Sequence, residues 1–189
     1  MGLFGGNKLN PGKPITMNIH ENGFEIDGKT LDFPAKISEI KKVLGEPRAV
    51  DIELTEKMKI SYSEDYGINP DSFQPKRYYW DDYGMVASAY DQENSANIVI
   101  IFGKSKYPLA PTECAYSGTV LFDGQPWQEL ILGKDMDGYR MKNSWVHASI
   151  YGNRTKEKNM KVMEWLLNSE AKKEFLEKVK KLNEGKDEL

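Results

Sequence analysis

Ile98-Val99-Ile100-Ile101-Phe102 is a continuous apolar run, the pattern of a strand buried on both faces. Such a strand belongs inside a sheet, and much of the remaining chain supplies partners for it. Ile15-Thr16-Met17-Asn18-Ile19 alternates apolar and polar residues, as a half-buried strand does. Phe24-Glu25-Ile26 follows a Glu21-Asn22-Gly23 turn and ends in Asp27-Gly28, whose residues suit a hairpin needing positive φ. Further strands are expected at Lys57–Tyr62, Arg77–Trp80, Gly84–Tyr90, Asn97–Gly103, Tyr139–Met141 and Trp145–Tyr151. Gly118-Thr119-Val120-Leu121-Phe122-Asp123-Gly124 echoes the first hairpin, so two related hairpin units, 15–105 and 112–153, are a reading of the pattern.

Two segments read as helical. Ile37-Ser38-Glu39-Ile40-Lys41-Lys42-Val43-Leu44 lines its apolar residues along one face, and Gly45 then Pro47 stop it. From Thr155 onward Met160, Met163, Leu167, Ala171, Phe175, Val179 and Leu182 recur at spacings of three and four. The expected fold is therefore α+β: a mainly antiparallel β-sheet, a short helix near residues 36–45 and a long C-terminal helical segment. Residues 1–14, rich in Gly, Asn, Pro and Lys, read as a flexible arm. Residues 15–153 form the β-rich domain, and 154–189 a helix or helix pair packed on the sheet.

At 189 residues the chain needs no covalent staples, and its single cysteine, Cys114, excludes an internal disulfide. The net charge of −3 argues against a general nucleic-acid binder. Charge is uneven, however: Asp51 to Glu93 carries ten acidic side chains against four basic ones. An acidic middle steers a basic partner at encounter, although a merely solvated face has the same composition. No apolar run reaches transmembrane length, so no membrane association is expected. The start lacks the basic and apolar regions of a signal peptide, which sets aside the retention-like ending Lys186-Asp187-Glu188-Leu189 and points to a cytoplasmic location.

Chemistry is hard to find. His20 and His147 are the two histidines, without metal-ligand spacing and without a nucleophile-elbow serine. Asp135-Met136-Asp137-Gly138 opens like a calcium loop, but Tyr139 and Val146 stand where ligands should be. Adjacent Asp81 and Asp82 would point to opposite faces of a strand, not toward each other as a glycosidase pair. No catalytic residue, cofactor or metal is assigned, and no enzymatic activity is expected.

What remains is Arg77-Tyr78-Tyr79-Trp80-Asp81-Asp82-Tyr83-Gly84, four aromatic rings beside two carboxylates. Aromatic side chains with polar tips suit either a half-buried strand or a recognition surface. Alternation predicts that one of Tyr79 and Trp80 is core and the other exposed or half-exposed. The partner-binding residues expected are Tyr79, Asp81, Asp82, Tyr83, Glu64 and Asp65.

Phe24-Glu25-Ile26-Asp27-Gly28, Ile40-Lys41-Lys42-Val43-Leu44-Gly45-Glu46-Pro47, Tyr79-Trp80-Asp81-Asp82-Tyr83-Gly84 and Ser117-Gly118-Thr119-Val120 together resemble an uncharacterised bacterial domain family. Its members look like immunity proteins encoded beside secreted antibacterial toxins. A fainter likeness, carried by the Leu-Gly-x-Pro helix end before the aromatic strand, is to the small lipoprotein fold of outer-membrane assembly factors and β-lactamase inhibitors. The first resemblance spans residues 15–125 and implies a protein that binds and neutralises a cognate toxin with a basic surface. The alternative is a structural or assembly adaptor docking through the C-terminal helix, and a carbohydrate-active hydrolase comes third.

Overall fold

The computed structural model describes residues 9–21, 23–32, 35–66, 69, 71, 74–89, 94–101, 112–134, 139–141, 146–152, 160–167, 173, 174, 177 and 181. In chain order the elements are β1 (Asn10–Pro11), β2 (Thr16–His20), β3 (Gly23–Ile26), β4 (Lys29–Asp32), β5 (Ala35–Lys36) and α1 (Ile37–Leu44). Then come β6 (Arg48–Asp51), α2 (Glu56–Tyr66), β7 (Lys76–Trp80), a 3-10 turn (Asp81–Tyr83), β8 (Met85–Ala89) and β9 (Asn94–Ile101). They are followed by β10 (Cys114–Ala115), β11 (Thr119–Phe122), β12 (Gln125–Pro126) and a second 3-10 turn (Trp127–Leu130). The last strands are β13 (Ile131–Lys134), β14 (Tyr139–Met141), β15 (Val146–Gly152) and β16 (Met160–Leu167).

Three sheets organise these strands. A five-stranded sheet runs β12-β11-β2-β3-β4, and a large one runs β13-β14-β15-β16-β9-β8-β7-β6 with β5 joined to β9. The third is a two-stranded parallel pairing of β1 with β10. The echo between the two hairpins is real in conformation: Asp27-Gly28 and Asp123-Gly124 both turn with positive φ at both positions. The two do not found separate units, however. β3 and β11 flank β2 in the same sheet, one antiparallel and one parallel.

The inner face of the five-stranded sheet presents Met17, Ile19, Phe24, Ile26, Leu31, Val120 and Phe122. α1 adds Ile37, Ile40 and Leu44, and β7 to β9 meet them with Trp80, Met85, Ala87, Ile98 and Ile100. One core thus lies between the two sheets, with α1 and Trp127 closing it. On the opposite face of the large sheet Tyr79, Val86 and Val99 are also buried. β9 is buried on both sides, as its continuous apolar run requires.

Three expectations are corrected. The fold is mainly β-sheet, and the described residues show no long C-terminal helical segment. Met160–Leu167 is a strand held between β15 and β9. Met-Lys-Val-Met-Glu-Trp-Leu-Leu satisfies a helical spacing at Met160, Met163 and Leu167, but it is short and contains Val and Trp. Two neighbouring strands with open hydrogen-bonding edges decide such an ambiguous segment. Beyond it Lys173, Glu174, Glu177 and Lys181 have helical backbone, and the rest of the expected helix lies outside the described residues.

Second, Lys57–Tyr62 belongs to helix α2 although its residues alternate like a strand. Thr55 starts the helix: its Oγ1 accepts the Met58 N–H and its carbonyl accepts that of Lys59. Third, residues 9–14 are docked rather than free. Gly12 N–H donates to the Ala115 carbonyl at 2.7 Å and Lys13 N–H to the Asp82 carbonyl at 2.8 Å. Residues 1–8 of the expected arm lie outside the described residues.

Candidate functional site

β7 and β8 pair from Arg77↔Ser88 to Trp80↔Met85, so residues 81–84 form the tip of their hairpin. Trp80 enters the core and anchors the tip from below, its indole N–H donating to the Gly45 carbonyl at 2.9 Å just past the end of α1. Tyr79 lies on the other face and is 1 % exposed, with the Arg48 guanidinium 4.3 Å from its ring centre. Both aromatics are therefore buried, against the expectation that one would be exposed or half-exposed. Alternation puts them on opposite faces, but this sheet is covered on both.

Asp81 is tied down more tightly. Its carboxylate accepts two bonds from Arg48, Nε and Nη2 each at 2.8 Å, and the Glu113 N–H at 3.2 Å. The paired geometry matches the fork of a guanidinium to a carboxylate. The bond to Asp81 pushes the Arg48 pKa above its usual value despite some desolvation. Asp81, with its side chain 15 % exposed, is a structural tie between β6, the tip and the 112–118 segment.

Asp82 faces outward. Its side chain is 62 % exposed and pairs at 2.7 Å with Lys13, which is equally exposed. That bond raises the Lys13 pKa. The Lys13 ammonium also stands 5.4 Å from the centre of the Tyr83 ring, and Tyr83 is partly buried against the core. Gly84 closes the tip with φ +67° and presses directly on the backbone of Ala115 and Tyr116, where no side chain fits. Behind it the Tyr116 hydroxyl shares its proton between the carbonyls of Ile15 at 2.8 Å and Thr119 at 2.9 Å. Burial, and then the charge of Asp27, push the Tyr116 pKa well above the ordinary phenol range.

The structure thus gathers Tyr79, Asp81, Asp82 and Tyr83 at one place but leaves only Asp82 and part of Tyr83 accessible. Glu64 is exposed on α2, and Asp65 follows it there. α2 departs from the Asp51 end of β6, whereas the tip sits at the Arg48 end. Sequence reasoning missed Arg48 and Lys13, which lie 33 and 69 positions from the carboxylates they meet. No local pattern announces contacts at that range.

A second polar cluster lies on the open face of the five-stranded sheet. His20 Nδ1 is 3.0 Å from Asp123 Oδ1, and its Nε2 is 3.8 Å from Glu25. Asn18 donates to Glu25 and accepts the Gly124 N–H. Among the described residues no three metal-ligating side chains converge to hold an ion. The cluster reads as cross-strand pairing that fixes the Asp123-Gly124 turn on β2.

Residues 16–137 match the model of a family described as a domain of unknown function, DUF7738. The chain belongs to the DUF7738 family. The matched span begins with β2 and contains the tip, Arg48 and both Asp-Gly hairpins; Lys13 and β14 to β16 fall outside it. No curated protein and no solved structure matches the chain. No described helix is long and apolar enough to cross a membrane.

Proposed function

We propose that this protein is a non-catalytic inhibitor that binds a cognate antibacterial toxin through the Asp82–Tyr83 tip and blocks its action. The observation that carries the reading is the way the tip is built. An exposed carboxylate and a partly exposed aromatic ring sit on a turn fixed by Arg48–Asp81, by Trp80 and by close backbone packing at Gly84. Exposed residues held by a rigid scaffold are the ordinary setting of recognition. The acidic excess between Asp51 and Glu93 favours a partner with a basic surface. The resemblance of the residues quoted above to immunity proteins supplies the toxin as the partner class. The adaptor alternative loses its docking helix over residues 160–167, which form an interior strand.

Co-expression with the product of the adjacent gene tests the proposal. Co-purification and protection of growth are expected. Asp82→Asn should then leave folding intact and weaken the complex, by roughly 2–5 kcal/mol if the carboxylate is desolvated on binding. Absence of both complex and protection overturns the reading.

A further inference from the structure

Among the described residues strand β6 ends the nine-stranded sheet, and all four of its residues are exposed. Its hydrogen-bonding phase follows from one contact. Ile52 N–H donates to the Pro75 carbonyl at 2.8 Å, and that pair continues the register Arg48↔Tyr79 to Asp51↔Lys76. In an antiparallel ladder, hydrogen-bonded and non-hydrogen-bonded pairs alternate. Arg48, Val50 and Ile52 therefore turn their backbone groups toward β7, while Ala49 and Asp51 turn theirs outward. Two N–H groups and two carbonyls thus form an edge to which no other described strand pairs, the template to which an extended chain adds a strand.

Side chains mark the same edge. Among the described residues the exposed large hydrophobics are Val50, 37 % exposed, and Ile60 on α2. A strand added to β6 meets Val50 at a non-hydrogen-bonded position, where cross-strand side chains come closest. At one end of the edge stand Asp82 and Glu113, at the other Asp51 and Glu53, all exposed. Lys13 pairs with Asp82, Lys76 with Asp51 and Arg48 with Asp81, so Glu53 and Glu113 are the acidic excess at the ends, while Arg77 stands opposite Val50 on β7.

We infer that β6 is the docking strand of this protein, taking an extended segment of the partner with an apolar residue at its middle and Lys or Arg at its ends. The inference rests on the binding role proposed for the tip, since Arg48 joins β6 to Asp81 and makes edge and tip one continuous surface. A second copy of the chain is the other conceivable occupant. Four residues on each side fall well short of the roughly 1,200 Å² at which stable interfaces begin. A peptide strand draws on backbone bonds instead, and the tip supplies its charged contacts.

Panning a displayed library of random peptides of about a dozen residues on the full-length chain tests the assignment. Enriched peptides should alternate, with a central apolar residue and flanking Lys or Arg. Ala49→Pro removes only an outward N–H, as proline on a sheet edge does, and should weaken these peptides roughly tenfold or more with little change in melting temperature. Val50→Lys should do the same without touching the backbone. Peptides of no common pattern, or binding indifferent to both substitutions, overturn the inference. So does light scattering that shows a dimer of the chain alone abolished by Ala49→Pro. The toxin reading fails separately: edge peptides that bind while the adjacent gene product does not leave β6 a docking strand for another partner. If the adjacent gene product binds Ala49→Pro and Val50→Lys as tightly as the unaltered chain, the inhibitor reading stands and the docking strand falls.

Discussion

Arg48 and Asp81, 33 positions apart, face each other side-on through two N–H···O bonds of 2.8 Å, with the Tyr79 ring beneath the guanidinium. This single contact converts a carboxylate that looks available in the sequence into a structural tie. It also leaves its neighbour Asp82 as the accessible one.

Removing either partner should therefore cost stability rather than only affinity. Asp81→Ala and Arg48→Ala are each expected to destabilise by about 1–3 kcal/mol, because a partly buried charged partner is left unpaired. Urea unfolding of both single variants and the double variant measures the coupling. Independent, additive losses would show that the pair contributes no interaction energy. Arg48→Lys should not rescue, since an ammonium lacks the two-pronged fork.

Tyr79 and Trp80 are buried on opposite faces, 1 % and 3 % exposed, so truncation should be severe at both. Trp80→Ala is expected to cost roughly 3–5 kcal/mol, and Tyr79→Ala a comparable amount. Chemical denaturation decides this. A mild Tyr79→Ala would mean that the far face of β7 is open.

Gly84 and Gly28 both have positive φ, +67° and +78°, but only Gly84 touches other backbone. Gly28→Ala should cost about 1–2 kcal/mol from backbone strain alone. Gly84→Ala adds a collision with Tyr116 and should exceed about 3 kcal/mol, among the large effects single substitutions produce. Comparable melting temperatures for the two variants would refute the close approach.

Tyr116 links stability to alkaline pH. Its folded pKa is raised, so the folded state holds the phenolic proton after the unfolded chain, near pH 10, has released it. The stabilisation is full below about pH 10 and is lost as pH climbs from there toward the folded value, with a slope of about 1.4 kcal/mol per unit. Tyr116→Phe should lower stability at neutral pH, because two carbonyls lose their donor, and should flatten the decline above about pH 10. Parallel curves for the two proteins would rule out this linkage.

The elements whose outcome was written locally are those with local chemistry. Asp27-Gly28 and Asp123-Gly124 turn as they do because small polar residues followed by glycine tolerate positive φ. α1 ends at Gly45, whose N–H donates to the Lys41 carbonyl, as a glycine after an amphipathic run allows. The apolar run in β9 could be satisfied only by burial on both sides. Tertiary structure decided the rest. Met160–Leu167 carries spacings compatible with helix and strand, and only β15 and β9 beside it settled the choice. Lys57–Tyr62 alternates like a strand, yet Thr55 caps a helix over it. At the tip, the composition announced a cluster of aromatics and carboxylates but not which of them reach solvent. That depended on Arg48 arriving from β6 and Lys13 from the N-terminal segment, because a side chain's accessibility is set by what the fold packs against it.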